Sequence, residues 1–527
     1  MTFYHISDSL SSFFLYTLKK ASYYYIIKIG DIMKKLLNFI SLILCGIILI
    51  TLCSCGKAYL KECIYFNLSA APVSLDPQTA SDDNELLIVR NTFEGLLRKD
   101  KDGKITNGAA ESYEKNGLTY TFKIRKNSEY FDGTKLTAAD FVFAFKRAVD
   151  PKTAAPFAKR LKAVGNAGSI LAGKADKNSL AVRAEDDYTL EIRLDSEDEF
   201  FLDTLTTSVC MPCNEKFFNK SVGKYGLEKK YVLANGSYYI GRWNTDDFGI
   251  RLYKNNNYKG DFSALNASVF LSHNTEKSAP DLIKDNTFDM AFLKNGEIEN
   301  AKKNGLNVKS CQNSLIVMTV GQEFSKEIAL AISYAAGRSV YEKLLPKGFE
   351  VADGIYPDII TEGLNTDLPA YEREYNIEKA KELISSAVKS TDDKVFPSAT
   401  LYYYDDESIK PAVSAIVSHW QQNLSAFVNI KPSSNKDVLM SELKNQTLQF
   451  AVFPVKAKSP RPEEFLELFG ADGSDLFSAQ KKILASNRII PLAFSSVSAA
   501  YPENISNVFF DSSNGYIDFS FVIKKGK

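Results

Sequence analysis

Residues 117 to 151 constrain this chain more than any other stretch. Leu118, Tyr120, Phe122 and Ile124 alternate with Thr119, Thr121, Lys123 and Arg125. A period of two puts one apolar and one polar face on a half-buried strand. Asp132-Gly133 supplies turn chemistry. Thr137 then stands three places before Asp140, the spacing of a capping box, in which each side chain satisfies an orphan N–H of the first helical turn. Phe141, Phe145 and Ala148 recur at helical spacing, so a helix is predicted to run to about Val149. Asp150-Pro151 stops it, because the residue before a proline avoids the α region. Strand, turn and helix this close together demand a mixed α/β fold.

The same two periods recur downstream. Tyr188, Leu190, Ile192 and Leu194 alternate as a second strand, and Asn235-Gly236 turns into a third at Ser237 to Ile240. Helices are predicted over 326–345, with Ile328, Ala331, Ile332 and Ala335 on one side, and over 375–389, with Ala380, Leu383, Ile384 and Ala387. A further helix over 409–424 carries Val413, Ile416, Trp420 and Leu424 as its stripe. Strands at 399–403 and 426–430 flank that helix, which suggests a βαβ-like unit. Stripes of this kind read as core rather than as cofactor contacts. No internal repeat and no low-complexity tract interrupts the chain.

The amino-terminal segment bears on compartment. Met33-Lys34-Lys35 precedes an apolar run from Leu36 to Leu52, followed by Cys53-Ser54-Cys55. A charged start, an apolar stretch and small residues at a cleavage point make a secretory signal. Leu52 and Ser54 before Cys55 fit a lipobox, so Cys55 is expected to carry lipid and to tether the remainder to a membrane outside the cytoplasm. The competing reading is a spanning anchor, since the run approaches the roughly 20 residues that a transmembrane helix needs. Residues 1–32 read as an upstream extension, with Met33 as the true start, and 33–54 as the signal peptide. About 470 residues remain after Cys55, enough for two to four domains at roughly 100–200 residues each.

Lysine plus arginine equals aspartate plus glutamate, 64 each, so no net field draws nucleic acid. Beyond Cys55 the cysteines are Cys63, Cys210, Cys213 and Cys311, too sparse for a disulfide scaffold. Cys210-Met211-Pro212-Cys213 has the spacing of a redox pair or half a zinc site. No second C-x-x-C accompanies it, which favours incidental thiols or one local disulfide. The histidines there are only His273 and His419. No Ser-His-Asp set, phosphate loop or metal-ligand spacing is present, so a binder is expected, without catalytic residues, metal or cofactor.

The order of these pieces resembles the solute-binding proteins of ABC importers, family 5, of the oligopeptide-binding type. The resemblance rests on Ser74-Leu75-Asp76-Pro77, Phe93-Glu94-Gly95-Leu96-Leu97, Gly108-Ala109-Ala110-Glu111-Ser112, the block from Gly117 through Asp132-Gly133-Thr134 to Arg147, and Asp150-Pro151-Lys152-Thr153-Ala154-Ala155-Pro156-Phe157-Ala158. Asn235-Gly236-Ser237-Tyr238 is similar to the family's Gly-Pro-Tyr turn, with serine for proline. The resemblance implies a three-lobe α/β fold of the periplasmic-binding-protein type II, with a hinge and an interlobe cleft. Lobe I would comprise 62–93, 212–320 and 496–527, lobe II 94–211, and lobe III 321–495. It implies capture of a peptide or peptide-like ligand between lobes I and III by closure, then delivery to permease subunits. The protein would act as a monomer in the cell envelope, without nucleic acid, held to the membrane by its lipid.

One segment departs from the family. Its amine-binding aspartate sits in Gly-Trp-x-Ala-Asp-Tyr-x-x-Pro-x-x-Phe-Leu. Here Ala457, Pro462, Phe465 and Leu466 keep that register, Val455 takes the tryptophan position and Lys458 the aspartate position. Lysine repels an ammonium group, the more so where the effective dielectric is low. Two readings stand: Lys458, with Lys456 and Arg461, meets an acidic or blocked ligand, or the loop is a solvated basic turn in a degenerate binder. Glu463 or Glu464 is a candidate substitute carboxylate. Lys458, Val455, Asn235 and Gly236 are the expected ligand-binding positions. A surface adhesin or signalling lipoprotein that keeps the fold without transport is the alternative function.

Overall fold

The computed structural model describes residues 63–525 apart from the segments 245–247, 295, 346–347, 362–374, 390–395, 405–407, 472–474 and 512–515. The signal segment and Cys55 lie outside the described residues.

The alternating stretch forms the strand Thr119–Ile124 and buries Tyr120, Phe122 and Ile124. It sits inside a four-stranded antiparallel sheet in the order Ala110–Asn116, Thr119–Ile124, Thr189–Arg193, Val182–Asp186. The expected capping box is formed: the Thr137 N–H donates to Asp140 at 2.8 Å, and the helix Ala138–Val149 follows. Phe141, Phe145 and Ala148 pack with Phe122, Leu190 and Ile192 in one core. Asp150 ends the helix and caps a short 3-10 turn beginning at Pro151.

A second sheet, eleven-stranded among the described residues, runs through the rest of the molecule. Its centre is a pair of long antiparallel strands, Asn307–Val320 and Ile489–Tyr501. On one side the first of these pairs with Phe450–Lys456, which continues in parallel to Ala399–Tyr404 and then Val428–Ser433. On the other side Ile489–Tyr501 pairs with Met290–Leu293, followed by Cys63–Asn67, Ser268–Ser272, Gly249–Lys254 and Tyr238–Asn244. Cys63–Asn67 is buried along its whole length, as a strand with parallel neighbours and both faces covered must be. The long pair shifts register between Gln312 and Ser314, a bulge that bends a strand locally.

Each half of this sheet has its own core. Ile64, Phe66, Tyr238, Val269 and Phe519 belong to one half. On the other half, one face collects Val413, Ile416, Trp420 and Phe450, and the opposite face Leu315, Phe453, Val455 and Phe465. The helix Lys410–Leu424 buries the whole expected stripe, and the parallel strands on either side of it complete the βαβ unit. The helix expected over 326–345 is broken: Lys326–Ala335 ends, and Arg338–Tyr341 restarts after Gly337. Gly337 is extended (φ −68°, ψ 154°) and stands as the N-cap of the second piece, where a Cβ would come within 2.3 Å of Tyr375.

Candidate functional site

The segment 456–467 leaves the end of Phe450–Lys456 and enters the helix Pro462–Leu468. Two local contacts set its path. The Ala457 N–H donates to the Asn313 carbonyl at 2.8 Å, and the Ser459 hydroxyl donates to Glu464 at 2.6 Å. Its side chains then reach two distant parts of the chain. Lys456 forms an ion pair with Asp83, and Lys458 Nζ donates to the Ser81 carbonyl at 3.1 Å. The Ser81 turn is held by Glu85, whose carboxylate accepts the N–H groups of Val73, Ser74, Ser81 and Asp82 at 2.9–3.2 Å.

The remaining contacts go to residues 157–204. Arg160 lays its guanidinium on Glu464 through two hydrogen bonds of 2.9 Å and donates a third to the Lys458 carbonyl at 3.1 Å. Such fork-on-fork geometry is the strong form of the arginine–carboxylate contact. Arg461 donates to Asp198 at 3.0 Å and to the Thr204 hydroxyl at 2.7 Å. Lys159 meets Glu467 at 2.7 Å. Phe157 lies under both Arg160 and Lys458, with 4.2 and 5.4 Å from charge to ring centre.

These contacts surround a small hollow with room for about one water molecule, with Lys99, Arg160, Phe200, Asp203 and three threonines on one side and Lys458 to Arg461 on the other. A second small hollow shares Lys99 and Thr206 with it and includes Arg98, Glu94 and Gly236 in its wall. Burial pushes the Lys458 ammonium below its ordinary pKa, and Asp83 only partly opposes the shift. Burial acts to raise Glu464, but the Arg160 charge and the Arg160 and Ser459 hydrogen bonds outweigh it and hold the carboxyl below the usual range.

The four ligand-binding positions expected from sequence separate. Lys458 and Gly236 line cavities. Val455 is buried in the core opposite Leu315. Asn235 accepts the Glu94 N–H at 3.0 Å and donates to the Glu94 carbonyl at 2.9 Å, so its amide clamps backbone. Glu464 is occupied by Arg160, and Glu463 by Arg461. Sequence reasoning missed Arg160, Asp83 and Asp198; the first two carried no signal beyond ordinary surface charge. Cys210 and Cys213 are free and buried, and burial pushes both thiols up to about 12. That disfavours the thiolate a redox pair requires.

Two α/β halves joined through paired long strands, with a satellite sheet and a charged crossing around a cavity, define a type II periplasmic binding protein. The model for bacterial extracellular solute-binding proteins, family 5, matches residues 104–476. The chain belongs to that family. It is 27% identical over 390 residues to the periplasmic murein peptide-binding protein MppA of Escherichia coli (strain K12), covering 70% of this chain and 71% of that one. It is 26% identical over 431 residues to the oligopeptide-binding protein OppA of Bacillus subtilis (strain 168), covering 78% and 77%. The fold also matches Haemophilus influenzae OppA in complex with the peptide RPPGFSPFR, with TM-score 0.72 and 22% identity over 88% of this chain and 99% of that one.

Proposed function

We propose that this protein is the capturing component of an ABC importer. It is tethered through lipid at Cys55, closes around a peptide or peptide-like solute and hands it to a membrane permease. It acts as a monomer and performs no bond chemistry. Lobe I comprises 62–93, 212–320 and 496–527, lobe II 94–211 and lobe III 321–495, and the long strand pair with its bulge is where the molecule bends. One observation carries this reading. The walls of the cavity at Lys458 come from parts of the chain about 250 residues or more apart, joined by ion pairs rather than by a shared apolar core. Walls held in that way can separate and re-form, as hinge closure requires. The names of MppA and OppA assign peptides to those relatives, which favours the same ligand class here.

The crossing itself favours a second reading. Its gap is partly filled by the protein's own charged side chains, as in a surface interaction or signalling lipoprotein that keeps the fold and has lost transport. Native mass spectrometry of the full-length protein, extracted in mild detergent, separates the two. Release of bound peptide, with stabilisation by about 2.7 kcal/mol at a hundredfold excess over Kd, is the expected result. An empty protein that no peptide library stabilises leaves the second reading.

A further inference from the structure

The loop after the helix Glu215–Lys220 carries two costs at one residue. Val222 is 83% exposed, and its φ of 49° is left-handed, a conformation that crowds a β-branched side chain and that glycine adopts freely. The loop is fixed from beneath: the Ser221 hydroxyl donates to the Phe218 carbonyl at 2.6 Å, and Tyr225 meets Phe218 edge to face at 5.4 Å between ring centres. Leu227 is 46% exposed. The turn packed beside it adds a third apolar side chain, since the Leu75 N–H donates to the Gly226 carbonyl at 2.8 Å and Val73 is 80% exposed. The same stretch is basic in a chain that is neutral overall. Residues 215–230 contain Lys216, Lys220, Lys224, Lys229 and Lys230, all exposed, against Glu215 and Glu228. Glu228 is taken by Lys230 at 3.0 Å, and Asp76 beneath the loop by Arg147. Among the described residues Lys216, Lys220, Lys224 and Lys229 have no ion-pair partner. Strain held at an exposed apolar residue points to a function for that residue.

We propose that this surface rests on an anionic bilayer, with Val73, Val222 and Leu227 entering the headgroup region and the lysines meeting lipid phosphates. Apolar side chains set among lysines suit a surface that lies on a membrane, and an anionic leaflet attracts basic residues held close to it. The inference rests on the tether reading above. At most about 29 Å of chain joins Cys55 to the first strand at Cys63, so lipid at Cys55 keeps the folded part beside the bilayer at high effective concentration. Individually weak contacts then suffice. Val73, Cys63 and residues 215–230 all belong to lobe I, so contact there steadies lobe I and leaves lobe III free to close. An acidic protein would match the same charge; the tether favours the bilayer.

The test reconstitutes the full-length protein, purified in mild detergent, into vesicles of phosphatidylcholine alone or of phosphatidylcholine with phosphatidylglycerol. Flotation reads the tether, and hydrogen exchange of the amides over 219–229 reads the contact. The expected result is flotation with both vesicles and exchange slowed more on the anionic ones. Lys220→Gln and Lys224→Gln should each weaken that protection about fivefold. Val222→Asn should weaken it while raising the melting temperature, since asparagine tolerates the left-handed backbone. Flotation without protection, or with equal protection on the two vesicles, overturns the inference and leaves the tether in place. Protection unchanged in the three variants overturns it as well. Protection that appears only when other membrane proteins are added assigns the surface to a protein partner and overturns bilayer contact. Failure to float on either vesicle removes the tether reading and the inference with it.

Discussion

Two ionic crossings tie distant parts of this molecule together, and they are built differently. At the first, Arg147 grips Asp76 through bonds of 2.6 and 3.2 Å, donates to Gln78 at 2.6 Å and lies over Phe218. Both charged side chains are only 8% exposed, and Gln78 continues the network to the Met211 carbonyl at 2.9 Å. At the second, Lys456, Lys458, Arg160 and Arg461 meet their partners around a cavity, and Asp83 and Glu464 remain partly exposed. A buried, filled network acts as a fixed joint, because separating it strands charge away from water. A hollow one whose Asp83 and Glu464 carboxylates keep contact with solvent can part, because water takes over those contacts as they break.

The largest expected effect tests the fixed joint. Arg147→Met leaves Asp76 and Gln78 buried without their donor and should lower unfolding free energy by about 3–5 kcal/mol, read by urea denaturation. A loss below about 1 kcal/mol would abolish the distinction between the two crossings. Arg461→Met removes a pair that is about as buried in this conformation, at 10% and 9% exposure. Opening rehydrates Asp198, so the stability loss should stay near 1 kcal/mol, while small-angle scattering shows a larger radius. A loss as large as that of Arg147→Met would mean that the second crossing does not open.

The smallest effect concerns pH. Glu464 has a lower pKa in the folded state than in the unfolded chain. Its contribution is therefore complete above the ordinary glutamate value of about 4.3 and is lost as pH falls through the depressed folded value. Acidification below about pH 4 should enlarge the radius measured by scattering, and Glu464→Gln should remove that transition. An identical acid response in Glu464→Gln would assign closure to other contacts.

Patterns carried within a few residues were legible from sequence. The Thr137–Asp140 box, the strand at Tyr120 to Ile124 and the Trp420 stripe all form where the spacing predicted. Patterns that depend on a distant neighbour were not. The helix expected over 326–345 is interrupted at the extended Gly337, where Tyr375 packs too close for a side chain. Asn235 has the look of a ligand contact, but its amide serves Glu94, 141 residues away. Asp76 and Arg147 both stand in the family blocks, yet nothing local says that they face each other.

By itself the sequence determined the α/β class and the apolar faces, because strand and helix periods and turn chemistry act over short spans of chain; the lysine at 458 stood out only through the resemblance, which implies an aspartate there. Only the tertiary structure decided that this lysine lies half-buried beside Ser81 and Phe157 on the wall of a small hollow. The physical reason is that the burial of a charge, and the partners left over for it, are set by which surfaces the completed fold brings together.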